Sequence, residues 1–290
     1  MRYCLKCSAS IYSGWQCSSC GWVPEFRDGF PILAPAIATG TGDFPITSHT
    51  MLASIEACSF WFVSRNELLF YLLDRFFPNS RSMLEVGCGT GFVLDGFARH
   101  RPSMKFFGAE AYLSGLTCAI KRIPRAEFAQ MDACQIPFSE EFDIAGAFDV
   151  LEHIQDDRRV LKEINRALLP SGGLILTVPQ HQWLWTNTDE LSGHKRRYTR
   201  SELRRKIEAA GFKVLMMTSF ICLLLPLMLV LRSFAGFCVN RLSSEFSGGL
   251  RLPKSINHMF KAACALELCF VKLRIPLPLG GSLVCVARKR

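Results

Sequence analysis

The chain predicts an α/β protein, a parallel sheet wound with helices on both faces, preceded by a small cysteine-stapled module and interrupted by a helical insertion before its last strand. Three observations carry this. Strand-like and helix-like segments alternate from Ser82 onward, a glycine-rich bend "GCGTG" joins the first such strand to its helix, and two C-x2-C knuckles lie at the start of the chain.

A chain of 290 residues with 49% hydrophobic content can build one large core plus a satellite module, which excludes a disordered chain. Residues 1–212 carry 23 Lys+Arg and 23 Asp+Glu, whereas residues 213–290 carry 11 and 2. The whole net charge of +9 therefore sits in the tail, which favours a localised acidic partner over a uniformly basic protein. Most of the 13 cysteines stand singly in apolar runs (Cys58, Cys118, Cys134, Cys222, Cys285), where thiols act as small hydrophobes. With no apolar stretch in "MRYCLKC", a reducing, cytoplasmic setting is expected.

Residues 1–35 form the first unit. Cys4, Cys7, Cys17 and Cys20 give C-x2-C-x9-C-x2-C, able to supply four thiolates to one tetrahedral zinc in a ribbon-like module. So short a segment cannot bury a core without such a staple. A closed four-thiolate site leaves no open position, so the ion is structural. Residues 36–80 hold a small-residue linker, "AIATGTGDFPITSHT", and then apolar spacing that predicts a helix over 51–77 with Leu68, Leu69, Leu72 and Phe76 on one side.

The alternation follows. "SMLEVG" precedes "FVLDGFARH", "KFFGAE" precedes "LTCAIKR", "FDIAGAF" precedes "DDRRVLKEINRALL", and "LILTVP" leads eventually to "SELRRKIEAAGF". Ligands of such sheets bind at the carboxyl ends of the strands. In "LEVGCGTGF" the glycines Gly87, Gly89 and Gly91 permit positive φ and close approach of a ligand, beside a helix N-terminus with free amides. The spacing is G-x-G-x-G, not the G-x-G-x-x-G of dinucleotide sites. Glu85, two residues before the first glycine, would repel a pyrophosphate but suit a cationic amino group.

With these residues the segment from about Arg81 to Phe212 resembles the class I S-adenosylmethionine-dependent methyltransferases, of the type 11/12-like bacterial subgroup. The resemblance implies a Rossmann-like seven-stranded sheet over residues 81–220, completed by a last strand over 280–290. It implies that Glu85, Gly87, Cys88, Gly89 and Gly91 hold the methionine end of S-adenosylmethionine. Glu110, ending "FFGAE", would take the ribose hydroxyls, and Asp132, with Met131 and Ala133 beside it, would face the adenine. Three acids ending three successive strands make the pattern specific.

After the fourth strand, "DVLEHI" offers Asp149, Glu152 and His153 on one face of a helical turn. Positioning supplies much of the catalysis of a methyl transfer, and histidine is the natural base for a hydroxyl acceptor. The stretch is similar to the E-x-x-E-H segment of ubiquinone-biosynthesis O-methyltransferases, with Asp149 replacing the first glutamate. That likeness implies a divalent ion as one option; the other is a purely structural cap. The N-P-P-Y-like stretch of enzymes that methylate exocyclic base amines is missing, which favours oxygen as the methylated atom.

The long segment "VPQHQWLWTNTDELSGHKRRYT" is expected to form a lid. Trp183, Trp185 and Tyr198 can stack on a ring or sugar, while Arg196 and Arg197, with His194, can grip an anion. The alternative is a structural role against Asp189 or Glu190. The pattern resembles that of bacterial methyltransferases with the same cysteine knuckles. "FKVLMMTSF" and "GSLVCVARK" read as the sixth and seventh strands.

Between them, residues 221–279 form an apolar and basic helical insertion. "FICLLLPLMLVL" is 12 apolar residues, short of the ~20 that span a bilayer. A later stretch places Ile256, Met259, Phe260, Ala263, Leu266, Phe270 and Leu273 on a stripe rimmed by Lys254, Lys261, Lys272 and Arg274. Such a helix suits an anionic membrane surface, a homodimer or the protein's own core, with nucleic acid the least favoured partner. The resulting expectation is a methyltransferase using S-adenosylmethionine and a structural Zn2+. It would act on a small or lipid-linked acceptor of glycan or quinone type, as a peripheral protein on the inner membrane face. An RNA methyltransferase and a non-catalytic cofactor-binding module are the rivals.

Overall fold

The computed structural model describes residues 1–38, 47–230 and 252–290. Parts of the predicted linker (39–46) and insertion (231–251) lie outside the described residues. The strands are β1 (Arg2–Tyr3), β2 (Ser10–Ile11), β3 (Glu25–Arg27), β4 (Phe30–Ile32), β5 (Ser82–Val86), β6 (Lys105–Glu110), β7 (Glu127–Gln130), β8 (Phe142–Phe148), β9 (Leu168–Pro179), β10 (Phe212–Phe220) and β11 (Ser282–Lys289). The helices are α1 (Pro35–Ala38), α2 (Thr47–Ile55), α3 (Phe60–Phe76), α4 (Phe92–His100), α5 (Leu113–Arg122), α6 (Asp157–Ala167), α7 (Asn187–Leu191), α8 (Arg200–Ala209) and α9 (Lys254–Lys272).

One nine-stranded sheet runs β10-β11-β9-β8-β5-β6-β7-β4-β3. Seven of its strands are those expected from the sequence. The other two, β3 and β4, come from the cysteine module, and β4 pairs in parallel with β7 at Ile32 and Gln130. Strand β5 lies between β6 and β8 and is parallel to both, whereas β11 runs antiparallel between β9 and β10. Side chains alternate across the sheet. Leu84, Phe107, Leu174 and Leu176 pack with α6 and α8 on one face; Met83, Phe106, Ile144 and Ile175 pack with α3, α4, α5 and α9 on the other. Both faces are covered, as a parallel sheet requires.

Three local boundaries differ from the sequence reading. The helix expected over 51–77 is broken at 56–59 into α2 and α3. The Ser59 side chain gives α3 no cap. Instead, Asn257 of α9 accepts from the Phe60 amide at 2.7 Å and donates to the Cys58 carbonyl at 2.8 Å. Next, α6 stops at Ala167, and Leu168 and Leu169 begin β9, because Pro170 disfavours helical backbone at the residue before it. Finally, the α9 stripe is divided. Cys264, Glu267 and Val271 are buried and Phe260 packs on Phe60, but Met259, Leu266 and Leu273 are 60%, 48% and 70% exposed.

Candidate functional site

The carboxyl ends of β5, β6 and β7 bring three acids to one rim. Gly87, Gly89 and Gly91 all adopt positive φ (71°, 49° and 76°), so the bend leaving β5 relies on the glycines at these positions. A Cβ at Gly87 would lie 2.5 Å from a Val150 methyl, whereas at Gly89 nothing lies within 4 Å, so this glycine faces open space. Glu110 is held at both oxygens: the Gly89 amide donates to one at 2.8 Å and the Tyr112 amide to the other at 3.1 Å. The Asp132 carboxylate accepts from the Cys134 amide at 2.8 Å. Its neighbour Met131 is buried, with its amide donating to the Glu110 carbonyl, and Ala133 is half-buried.

Glu85 is buried within β5, and its Oε2 has no hydrogen-bond partner. Burial pushes its carboxyl well above the usual range; nearby Arg65 works against this, and Glu110 and Glu56 add to it. A buried carboxylate oxygen without a partner, beside an open glycine, fits a cationic amino group. Cys88, expected to hold the methionine end together with the glycines, sits inside the bend. Its amide donates to the Ala109 carbonyl, its carbonyl accepts from Gly91, and its thiol is buried. It belongs to the framework of the bend, because a tight turn uses its own central polar groups.

The expected face of Asp149, Glu152 and His153 is rearranged. Only Leu151–His153 form a turn, of the 3-10 type, and Asp149 has φ 57°. Asp149 pairs with Arg65 of α3, a buried guanidinium that also lies over the Trp61 ring, 4.4 Å from its centroid. Glu152 is fully buried and neither of its oxygens has a hydrogen-bond partner. Burial, with Asp149 nearby, raises its pKa well above the usual carboxyl value. His153 is lowered to about 4 by burial and by His194, so its imidazole is neutral at neutral pH. The two imidazole rings meet edge to face, 4.7 Å apart.

Glu152, His153 and His194 offer ligand atoms all within 4.8 Å of one another, a set able to hold a metal ion. Of the expected option of an ion on Asp149, Glu152 and His153, the structure brings Glu152 and His153 together with His194, while Asp149 pairs with Arg65.

In the loop after β9 the structural alternative, pairing with Asp189, is the arrangement found. Asp189, buried at the first turn of α7, accepts from His194 Nδ1 at 2.8 Å, from Arg197 Nε at 2.8 Å and Nη2 at 3.0 Å, and from the Thr186 amide at 2.8 Å. Asp157, at the start of α6, accepts from the Tyr198 hydroxyl at 2.7 Å and from Lys206 at 2.6 Å, and pairs with Arg196 at 3.0 Å. Tyr198 is completely buried and cannot stack on a ligand. The basic cluster is thus chiefly internal bracing rather than an open anion grip, because two buried acids far apart in sequence claim its cations. Trp185 donates to Glu190 at 3.3 Å. Trp183 alone of the expected aromatics is well exposed, at 58%, and stacks on His181.

At the other end of the chain, Cys4 and Cys20 sulfurs lie 3.6 Å apart, as do those of Cys7 and Cys17, and all four fall within 4.8 Å. A tetrahedral zinc with bonds of about 2.3 Å separates its sulfurs by about 3.8 Å, so the cluster fits that ion.

Sequence reasoning missed several residues of this region. His49, inside the expected linker, is buried and bonds Ser114 at 2.9 Å. Glu56 receives Thr90 of the glycine bend at 2.7 Å and Arg122 at 2.8 Å. Arg65, Gln130 and Asp157 read as ordinary polar positions. For Arg65 and Gln130 the sequence signal was a polar residue inside an otherwise apolar run, whereas Asp157 had none.

Comparison with known proteins agrees with this fold. A family model described as a methyltransferase domain matches residues 63–216. The chain is 25% identical over 173 residues to a "Probable S-adenosylmethionine-dependent methyltransferase" of Mycolicibacterium smegmatis, covering 59% of this chain and 66% of that protein. A counterpart from Mycobacterium tuberculosis is 26% identical over 184 residues, covering 62% and 63%. The chain thus spans just under two thirds of the length of these relatives. Haemonchus contortus phosphoethanolamine N-methyltransferase 2, solved with S-adenosyl-L-methionine, superposes with a TM-score of 0.53 at 19% identity over 77% of this chain and 52% of that one, a likeness of fold. The strand order, the glycine bend and the family match together make this chain a member of the methyltransferase domain family.

Proposed function

We propose that the protein transfers a methyl group from S-adenosylmethionine to an oxygen of a small or lipid-linked acceptor. One observation carries the cofactor assignment: Glu85, Glu110 and Asp132 converge with an open, positive-φ glycine at one rim of the sheet. Glu85 would balance the amino group, Glu110 the ribose hydroxyls and Asp132 the adenine. The bound cofactor supplies an electrophilic methyl group. The chain's own residues align the acceptor, with neutral His153 taking the hydroxyl proton as the new C–O bond forms and the C–S bond breaks. Exposed Trp183, stacked on His181, offers the flat apolar surface for a ring or sugar.

Calorimetric titration with S-adenosylhomocysteine tests the assignment. Wild type should bind, and Glu110→Ala should weaken binding roughly 10- to 100-fold, the worth of hydrogen bonds to a charged group. No binding by wild type would overturn it.

The membrane location is supported by the exposed apolar residues of α9 and by Leu223, Leu227 and Val230, set among the tail's excess cations. No helix among the described residues is long and apolar enough to cross a membrane. Because α9 packs on α3, deleting the insertion would expose the core; Met259→Asp with Leu266→Asp is the cleaner probe. The doubly substituted chain should lose flotation with anionic vesicles. Equal flotation of wild type and variant would remove the membrane reading.

A further inference from the structure

The cysteine module is joined to the sheet at the place where the adenosine end of the pocket is built. Strand β4 adds in parallel to the edge of β7, and the Leu33 amide donates to the Gln130 carbonyl at 2.9 Å. The Gln130 side chain, fully buried, then ties three segments together. Its oxygen accepts from the Ala34 amide at 3.0 Å, and its nitrogen donates to the Ala34 carbonyl at 3.0 Å and to the Ala111 carbonyl at 2.8 Å. Ala111 follows Glu110, and Asp132 lies two residues beyond Gln130.

A second grip lies beyond Asp132. The Tyr3 amide donates to the Pro137 carbonyl at 2.8 Å, and Met1 and Ser139 exchange two hydrogen bonds at 2.8 and 2.9 Å. Arg2 lies over Trp15 at 4.6 Å, and Trp15 packs on Phe138. The loop carrying Asp132 is therefore held at both ends by residues of the first 34, whose own small core contains Cys4 and Cys17.

We propose that the cysteine module is a built-in positioning element of the cofactor pocket, with Gln130 as the connecting residue, so that metal in the four-cysteine site governs affinity for the adenosine end. The mechanism is preorganisation. With β4 docked, the segments bearing Glu110 and Asp132 need no ordering when the ligand arrives; with the module loosened, that ordering is charged against binding. Gln130 suits the task because an amide is donor and acceptor at once, and a buried amide with all its groups satisfied tolerates no other arrangement. This inference rests on the cofactor assignment above and on an ion in the cysteine cluster.

The test compares the full wild-type chain carrying zinc, the same chain after chelation, and Gln130→Ala. S-adenosylhomocysteine affinity is measured by calorimetry and amide exchange by mass spectrometry. Chelation and Gln130→Ala should each weaken binding about 10-fold and speed exchange at residues 108–113 and 131–139, leaving residues 92–100 of α4 unchanged. Val286→Ala, a core change in β11, should lower the melting temperature without altering affinity, which separates positioning from general destabilisation. Equal affinity and equal exchange in all three samples would overturn the coupling, as would a Val286→Ala effect equal to that of Gln130→Ala. Chelation needs no substitution, so a variant that fails to fold leaves the comparison intact. If wild type binds no S-adenosylhomocysteine, the cofactor assignment falls, and exchange before and after chelation still decides the coupling.

Discussion

Asp189→Asn removes the charge at the centre of the loop after β9 while preserving its shape. The native carboxylate is 1% exposed and meets an Arg197 side chain that is only 10% exposed. An amide in its place turns a donor toward donors and leaves the guanidinium buried without a countercharge. Breaking a buried pair from one side costs about 3–5 kcal/mol. If the loop unfolds with the whole protein, about 4 kcal/mol lowers the melting temperature by roughly 8–16 °C. If it opens locally, exchange over residues 180–199 rises by up to about 1000-fold.

The two cases are separated by a thermal melt and exchange measured on the same sample. Asp189→Asn with Arg197→Met should recover more than half of the loss, because the stranded cation is its main source. The pH dependence gives a second check. Burial would raise the Asp189 carboxyl, but hydrogen bonds from His194 and Arg197 outweigh it and hold the group below the ordinary range. A depressed folded pKa stabilises above the unfolded value of about 4 and the benefit is lost as pH falls below it, so the acid limb of the variant should be flatter than that of wild type. A single variant within about 1 kcal/mol of wild type, with unchanged exchange, would refute the bracing role.

Glu152 acts in the opposite sense. Its folded pKa is raised, so wild-type stability falls as pH climbs above the ordinary carboxyl value. Glu152→Gln should therefore gain on wild type between pH 5 and pH 8 in urea midpoints, and a constant difference would contradict the burial argument. Among the glycines, Gly91→Ala should cost more than 2 kcal/mol, roughly the worth of a core clash plus αL strain, since its Cβ would lie 2.9 Å from the Ala119 backbone at φ +76°. Gly89→Ala, with open space at φ +49°, should cost about 1 kcal/mol of stability but lose S-adenosylhomocysteine affinity. Equal losses of stability at the two positions would remove the distinction between framework and ligand-facing glycines.

Much of the site was legible because it follows from chain-local rules. A glycine bend between strand and helix, and acids ending successive strands, occupy fixed places once the alternation is known. Glu85, Glu110 and Asp132 reach the rim for that reason. His153 and His194 were identified singly, but their meeting across about 40 residues was not. The bracing against Asp189 was open as the alternative, but the choice between it and an anion grip was not legible, because a run of cations looks alike whether its partners are ligands or buried acids; Asp157 as the partner of Arg196 and Tyr198 was missed. Asp157 and Asp189 carry no local mark of burial.

The sequence by itself determined the order of strands and helices, the two cysteine knuckles and the acid at each strand end, since periodicity and turn chemistry act over a few residues. Tertiary structure alone decided that Asn257 caps α3, that Arg65 claims Asp149, that Gln130 fastens the cysteine module to the pocket, and that the basic loop turns inward. Each of these joins groups distant in the chain, and which buried polar atom satisfies which is fixed only when the packed elements bring them within bonding distance.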